Sequence, residues 1–200
     1  MERICIAADS TFDMTLEMVR EYGIAVVASY VRLDGGDLLD YPDLKQSDLF
    51  DFYKRAHKLP QTAAANPQDY EAFFRQCLSD HDAVIHIAKS SGMSSCYDNA
   101  VIAANNMEHV YVVDSKSISS GSALLAMEAV RKKDSMGAEE LQTYLCGYRD
   151  KIVGNFIIET LEYLHEGGRC STLAFLGAST LQIRQSINIR DGKLVVGKKY

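Results

Sequence analysis

The sequence predicts an α/β protein with a doubly wound, mostly parallel sheet that has helices on both faces, followed by a partial second α/β domain. Short apolar runs alternate with amphipathic stretches along the chain, which is the pattern of such a layer. Three of these runs, residues 4–8, 83–88 and 110–113, end abruptly in clustered hydroxyl and carboxylate side chains. Loops at the carboxyl ends of parallel strands share one crevice, so we expect these polar turns to form a ligand site.

The strands are predicted from apolar segments of strand length that turn residues separate. β-Branched residues predominate in these segments, as is typical of strands. The last two segments are separated by Asp191-Gly192, which indicates a two-residue hairpin. In order, the predicted strands are residues 4–8, 24–33, 83–88, 110–113, 156–158, 183–189 and 193–196.

The helices are predicted from apolar residues that recur every three or four positions, and from start and stop signals. Asn66-Pro67 is the strongest start, because an asparagine cap precedes proline at the first helical position. Ser10 or Thr11 is expected to cap the first helix, which ends at Gly23. The later helices are predicted at residues 47–57, 67–78, 94–106, 119–132, 138–151 and 159–164.

The pattern of alternation changes near residue 151, which suggests a domain boundary. Residues 1–151 are predicted to form the N-terminal α/β domain. Residues 152–200 are predicted to be the beginning of a second domain that is incomplete or shortened. A segment below about 60 residues buries too little surface to be stable alone, so we expect that either this part docks on the first domain or the chain stops partway through a second one.

Composition and charge disfavour several function classes. The chain of 200 residues has a formal net charge of −6, and no basic run occurs in its first 180 residues, so no nucleic-acid partner is expected. No apolar run approaches the roughly 20 residues that span a bilayer, and no signal-peptide pattern is present. We therefore expect a cytoplasmic location without stable membrane insertion. The five cysteines and five histidines have no metal-binding spacing, so no metal site is expected.

The polar turns contain more hydroxyl groups than helix capping requires. Four serines lie within residues 90–95 and four more within residues 115–120. Taken singly, Ser10, Ser94 and Ser119 are each typical of helix caps. Surplus hydroxyls beside the N–H groups of helix N-termini suit a carboxylate or a phosphate. The sequence therefore predicts an anionic ligand and leaves its identity open.

One of these turns also leaves a catalytic alternative open. Residues 92–96 nearly match the Gly-x-Ser-x-Gly turn of α/β-hydrolases, and Ser94, Asp114 and His165 follow in the chain order of their catalytic triad. Cys96 stands where that strained turn requires a smaller residue, and the chain order arises easily by chance among so many acids and histidines, which disfavours a serine hydrolase.

Together, these motifs resemble the DegV family of bacterial fatty-acid-binding proteins. The matching stretches follow the family's order and lie at residues 8–11, 59–62, 90–97, 113–121 and 159–169. The resemblance implies a two-domain protein that encloses one long-chain fatty acid and presents its carboxylate to a separate fatty-acid kinase subunit. The acyl phosphate would then enter phospholipid synthesis. It implies a carrier without catalytic residues of its own and without a cofactor, the fatty acid being its ligand.

The resemblance also assigns roles to residues of this chain. It implies that the hydroxyls of Thr62 and Ser94 and the N–H of Ser95 hold the carboxylate, and that Arg169 lies near the phosphoryl-transfer end. The remaining hydroxyls are expected to line the pocket: Ser10, Thr11, Ser90, Ser91, Ser117 and Ser119. Family members usually have Ser-Gly-Thr where this chain has Ser94-Ser95-Cys96, and they normally continue beyond the predicted hairpin. A shortened relative that binds a small anionic metabolite is therefore a further alternative.

Overall fold

The computed structural model describes residues 2–42, 44–159, 162–168 and 185–199. The strands of these residues are β1 (Ile4–Asp9), β2 (Ala25–Val27), β3 (Tyr30–Leu33), β4 (Gly36–Leu39), β5 (Gln61–Ala63), β6 (Ala83–Ala88), β7 (Val110–Asp114), β8 (Asn155–Ile158), β9 (Gln185–Arg190) and β10 (Lys193–Lys199). The α-helices are α1 (Leu16–Tyr22), α2 (Gln46–Ala56), α3 (Pro67–Leu78), α4 (Cys96–Ala104), α5 (Ser120–Lys132), α6 (Ala138–Tyr148) and α7 (Glu162–Glu166).

A parallel sheet with strand order β2-β1-β6-β7 forms the centre of the fold. Every residue of β1 and β6 is buried, because helices cover both faces of the sheet. On one face Ile4, Ile6 and Ala8 pack with residues of α5 and α6. On the other face Cys5 and Ala7 pack with residues of α3 and α4. The predicted fold class is thereby confirmed.

The prediction of one continuous strand over residues 24–33 is wrong. The parallel strand β2 ends at Val27, and β3 joins a separate antiparallel sheet with strand order β4-β3-β5. Between them, the N–H of Ser29 donates to Asp40 Oδ1 at 2.9 Å, and the N–H of Asp40 donates to the Ser29 carbonyl at 3.0 Å. Where the chain passes from the parallel sheet to the antiparallel sheet, these two bonds take the place of hydrogen bonds between neighbouring strands.

The predicted caps of the first helix are also wrong. Ser10 and Thr11 lie in a short 3-10 turn, and Thr15 caps α1 by accepting the N–H of Met18 at 3.2 Å. A cap at Thr15 leaves Ser10 available for contacts with another part of the chain.

The predicted cap of α3 is confirmed. The side chain of Asn66 accepts the N–H of Asp69 at 3.0 Å, and the carboxylate of Asp69 accepts the N–H of Asn66 at 2.9 Å. This reciprocal pair satisfies two of the backbone groups that a helix start leaves without helical partners.

The C-terminal strands form an antiparallel sheet with the order β10-β9-β8. The predicted hairpin joins β9 to β10, with positive φ angles at Asp191 (49°) and Gly192 (75°), as a two-residue turn of this kind requires. Ile187 is buried against Ile158, Leu164 and Leu194. The domain boundary after residue 151 stays a prediction.

None of the helices in the described part of the chain has both the length and the apolar character that crossing a membrane requires.

Candidate functional site

The three polar turns meet at the carboxyl ends of β1, β6 and β7, as predicted. The N–H of Lys89 donates to Asp9 Oδ2 at 2.6 Å, which joins the turn after β6 to the end of β1. The N–H of Ser90 donates to the Ser117 carbonyl at 3.0 Å, and the N–H of Ser119 donates to the Thr11 carbonyl at 2.9 Å. The three turns therefore lie side by side.

Ser94 lies in the turn that precedes α4, and its side chain is partly buried. Its Oγ accepts the N–H of Cys96 at 3.3 Å and lies 3.1 Å from Cys96 Sγ. Its own N–H donates to the Ser90 carbonyl at 3.2 Å. Ser94 is thus held by both its backbone and its side chain.

Ser95 is exposed and occupies the cap position of α4, although its side chain does not cap the helix. Its carbonyl accepts the N–H of Asn99 at 2.9 Å, as the first helical turn requires. Its own N–H has no protein acceptor among the described residues. That N–H is therefore available to a ligand at the helix N-terminus.

Thr62 lies in β5, where it pairs with Val31 of β3, and its side chain is exposed. Its hydroxyl makes no hydrogen bond within the described part of the chain. The segment that follows Thr62 is tied to α4, because Asn99 Nδ2 donates to the Ala65 carbonyl at 2.8 Å. Among the described residues, no hydrogen bond joins Thr62 to Ser94.

Several of the predicted lining hydroxyls bind other parts of the protein. Ser10 Oγ donates to Asp40 at 2.7 Å, and Ser91 Oγ donates to Asp114 at 2.6 Å. The buried Ser117 Oγ has no hydrogen-bond partner among the described residues. Ser119 occupies the cap position of α5 with a positive φ of 56° and makes no side-chain cap. Arg169 lies outside the described residues.

Ser90 connects the serine turn to the C-terminal hairpin. Its fully buried hydroxyl donates to the Gly192 carbonyl at 2.7 Å and accepts the N–H of Gly92 at 3.2 Å. The contact is close, because a Cβ at Gly92 would lie 2.5 Å from the Gly192 oxygen. The hairpin between β9 and β10 therefore packs directly on the turn that contains Ser94.

A separate cleft of about 490 Å³ lies beside this hairpin. Side chains of both charges line it, and Lys116 Nζ lies 3.6 Å from a carboxylate oxygen of Asp150. Thr62, Ser94 and Ser95 are absent from its lining. This cleft is therefore not the expected carboxylate site.

A buried polar cluster that was not predicted from the sequence lies beneath the serine turn. Asp9 is 3% exposed, and its Oδ1 accepts the hydroxyl of Tyr70 at 2.5 Å. His86 is 0% exposed, and its Nε2 lies 3.3 Å from the same oxygen without the alignment of a hydrogen bond. The rings of Tyr70, Phe73 and Phe74 surround the imidazole at centroid distances of 5.4, 6.3 and 5.4 Å. A histidine inside the apolar run 83–88 was the sequence signal for this cluster.

The cluster determines which groups carry protons. Burial alone would raise the pKa of Asp9, but His86, the Tyr70 hydroxyl and the Lys89 N–H together lower it below its usual value. Burial and the charge of Asp9 raise the pKa of the Tyr70 hydroxyl. The same two influences raise the pKa of the Cys96 thiol. At neutral pH Asp9 is therefore a carboxylate, whereas Tyr70 and Cys96 keep their protons.

The arrangement does not support the serine hydrolase alternative. The carboxylate of Asp114 accepts the N–H of Ser91 at 3.2 Å and the N–H of Lys116 at 2.9 Å. Over the described ranges, no histidine is a hydrogen-bond partner of Ser94. No group of three or more potential metal ligands occurs in those ranges either.

Comparison with known proteins gives one consistent result. A family model described as "Uncharacterised protein, DegV family" matches residues 3–200. A DegV domain-containing protein of Caldanaerobacter subterraneus subsp. tengcongensis is 31% identical over 201 residues, covering 98% of this chain and 71% of that protein. A fatty acid-binding protein of Thermotoga maritima is 28% identical over 211 residues, with coverage of 98% and 71%. The solved structure of a DegV family protein from Thermus thermophilus, described as fatty acid binding, superposes with a TM-score of 0.87. The two sequences are 26% identical, and the match covers 98% of this chain and 71% of the Thermus thermophilus protein.

Proposed function

Because this chain belongs to the DegV family, we propose that it binds a long-chain fatty acid and carries it without a catalytic group or cofactor of its own. The relatives from Thermotoga maritima and Thermus thermophilus that are described as fatty acid binding support this assignment. The observation that carries it is the Ser94 turn, where hydroxyl and N–H donors stand beside a packed hairpin.

The donors of this turn, together with the hydroxyl of Thr62 in β5, match the chemistry of a carboxylate. Ser94 and Thr62 offer hydroxyls, and Ser95 offers an N–H with no protein acceptor among the described residues. Hydrogen bonds from neutral donors to an ionised acceptor contribute about 1.5–3 kcal/mol each. Each CH₂ group of the acyl chain that leaves water contributes about 0.8 kcal/mol. The head group would thus fix the position of the ligand, and the chain would supply most of the affinity.

The carrier would act with a partner enzyme. We propose that it presents the bound carboxylate to a separate fatty-acid kinase subunit, which forms an acyl phosphate used in phospholipid synthesis. Arg169 would lie near the phosphoryl-transfer end, where a guanidinium suits a phosphate. A kinase partner and a soluble ligand carrier both fit a cytoplasmic location.

Native mass spectrometry of the freshly purified protein tests this proposal. We expect a mass increment equal to one long-chain fatty acid, or uptake of one equivalent when oleic or palmitic acid is added. A protein that neither retains nor takes up an acyl chain would contradict the proposal. A bound metabolite without an alkyl chain would instead favour the small-anion alternative, and covalent labelling of Ser94 by a fluorophosphonate would favour the hydrolase.

A further inference from the structure

Asn99 joins the two segments that carry the proposed head-group hydroxyls, Thr62 and Ser94. Its backbone N–H donates to the Ser95 carbonyl at 2.9 Å, directly after Ser94. Its side-chain Nδ2 donates to the Ala65 carbonyl at 2.8 Å, three residues beyond Thr62. The direction of the side-chain bond is fixed, because a carbonyl oxygen only accepts and the amide oxygen of asparagine cannot donate. One residue is therefore bonded to both segments.

Both bonds lie close to the proposed donors. Asn99 follows Ser95 by about one helical turn, which rises about 5.4 Å. The chain advances only three residues from Thr62 to the buried Ala65, and three residues span at most about 11 Å. The capped start of α3 at Asn66 follows directly, so the chain beyond Ala65 cannot absorb a displacement. A shift of Ala65 relative to α4 is therefore passed on to Thr62.

The other contacts of residues 61–66 do not orient them towards the serine turn. Strand β5 pairs with β3, and the hydroxyl of Tyr30 in β3 donates to Asp69 of α3 at 3.0 Å. Ala65 packs with buried residues of α4, but apolar packing is non-directional. Within the described ranges, no second hydrogen bond joins residues 61–66 to α4. The Asn99 amide is thus the directional contact between the two segments.

We propose that Asn99 is a positioning residue that holds the Thr62 segment against the N-terminus of α4, so that the Thr62 hydroxyl and the Ser95 N–H reach the same carboxylate. This inference rests on the proposed function. A hydrogen bond weakens steeply when its donor and acceptor move out of range or alignment. Asn99 therefore raises fatty-acid affinity through Thr62 and not as a ligand-binding group.

Dissociation constants for oleic acid test this role. Asn99→Ala and Asn99→Leu both remove the amide donor, leucine keeps nearly the same side-chain volume, and the backbone bond to Ser95 remains in each. We expect both variants to raise the dissociation constant by about two- to tenfold, the range that one hydrogen bond contributes. Asn105→Ala is the matched control, because Asn105 is an exposed asparagine at the other end of α4. It should bind oleic acid as the wild type does.

A Thr62→Val background separates positioning from a general loss of structure, because valine keeps the branched shape of threonine without its hydroxyl. In this background Asn99→Ala should change the dissociation constant by less than about twofold, whereas in Ser94→Ala its effect should persist. An equal effect in the two backgrounds, as a general loosening of α4 would produce, would overturn the inference. No effect in the otherwise unchanged protein, or a matching loss in Asn105→Ala, would overturn it as well. A wild-type protein that binds no fatty acid would instead contradict the proposed function.

Discussion

Replacement of Gly92 by alanine tests whether the hairpin between β9 and β10 holds the serine turn. A Cβ at Gly92 would lie 2.5 Å from the Gly192 carbonyl oxygen and 2.9 Å from Cγ of Lys193. Non-bonded heavy atoms prefer separations of about 3.5 Å or more, so the hairpin must retreat by about 1 Å. Alanine introduces no further backbone change, because Gly92 does not have a positive φ.

The cost of this retreat follows from the bond that it breaks. The hydroxyl of Ser90 is fully buried and donates to the Gly192 carbonyl at 2.7 Å. A buried polar group that loses its partner costs about 1–3 kcal/mol. We therefore expect Gly92→Ala to lower the free energy of unfolding by about 1–3 kcal/mol. Fatty-acid affinity should fall as well, because the N–H of Ser94 is bonded to the Ser90 carbonyl at 3.2 Å.

Urea unfolding followed by circular dichroism measures the change in stability. Gly147→Ala is the matched control, since a Cβ at Gly147 in α6 would meet nothing within 4 Å. Alanine is favoured over glycine in a helix by about 0.5–1 kcal/mol, so this variant should be more stable than the wild type. If Gly92→Ala unfolds at the same urea concentration as the wild type while the control behaves as expected, the hairpin does not hold the turn.

Three further predictions concern the head group and the buried cluster. Ser94→Ala should weaken fatty-acid affinity in a displacement assay by about tenfold or more, because a charge-assisted hydrogen bond is lost. Ser90→Ala should mainly lower the stability of the fold. If the two variants bind the fatty acid with equal affinity, Ser94 does not hold the head group. Because the pKa of Asp9 is lowered in the folded protein, its carboxylate contributes stability above the unfolded pKa of about 3.9, and this stability is lost as pH falls through the lower folded pKa. In Asp9→Asn, the urea concentration at the unfolding midpoint should fall less steeply as the pH is lowered through this range. A fall as steep as that of the wild type would show that other carboxylates cause it. Tyr70→Phe should lower the free energy of unfolding by about 1–3 kcal/mol, because its hydroxyl bonds to the buried Asp9. Tyr144→Phe, which loses an equally short 2.5 Å bond to a carboxylate in a less buried place, should lower the free energy of unfolding by less. If thermal unfolding shows Tyr144→Phe to be the more destabilising variant, burial does not set the cost.

The elements that the sequence predicted well are those encoded by neighbouring residues. The cap at Asn66 depends on residues within one helical turn, and the hairpin at Asp191-Gly192 depends on the backbone freedom of two residues. The strand predictions at residues 83–88 and 110–113 agree with β6 and, within one residue, with β7. Local hydrogen bonds and hydrophobic periodicity are visible along the chain, so these features needed no tertiary information.

The predictions are wrong where a group forms its hydrogen bond with a residue far along the chain instead of with a neighbour. Ser10 was expected to cap a helix, but Asp40 accepts its hydroxyl across 30 residues of chain. The same carboxylate binds the N–H of Ser29 and turns the chain out of the parallel sheet after β2. The two exposed strands β4 and β5 were missed because they lack the apolar alternation of a half-buried strand.

The sequence by itself determined the fold class, the convergence of three polar turns and the resemblance that led to a fatty-acid carrier. Only the tertiary structure decided which of these hydroxyls bond to other parts of the protein. Ser90 is bonded across 102 residues of chain to the hairpin, and Tyr70 across 61 residues to Asp9. A strand pattern fixes which residues are buried, but the partner of a buried polar group is fixed only when distant segments pack.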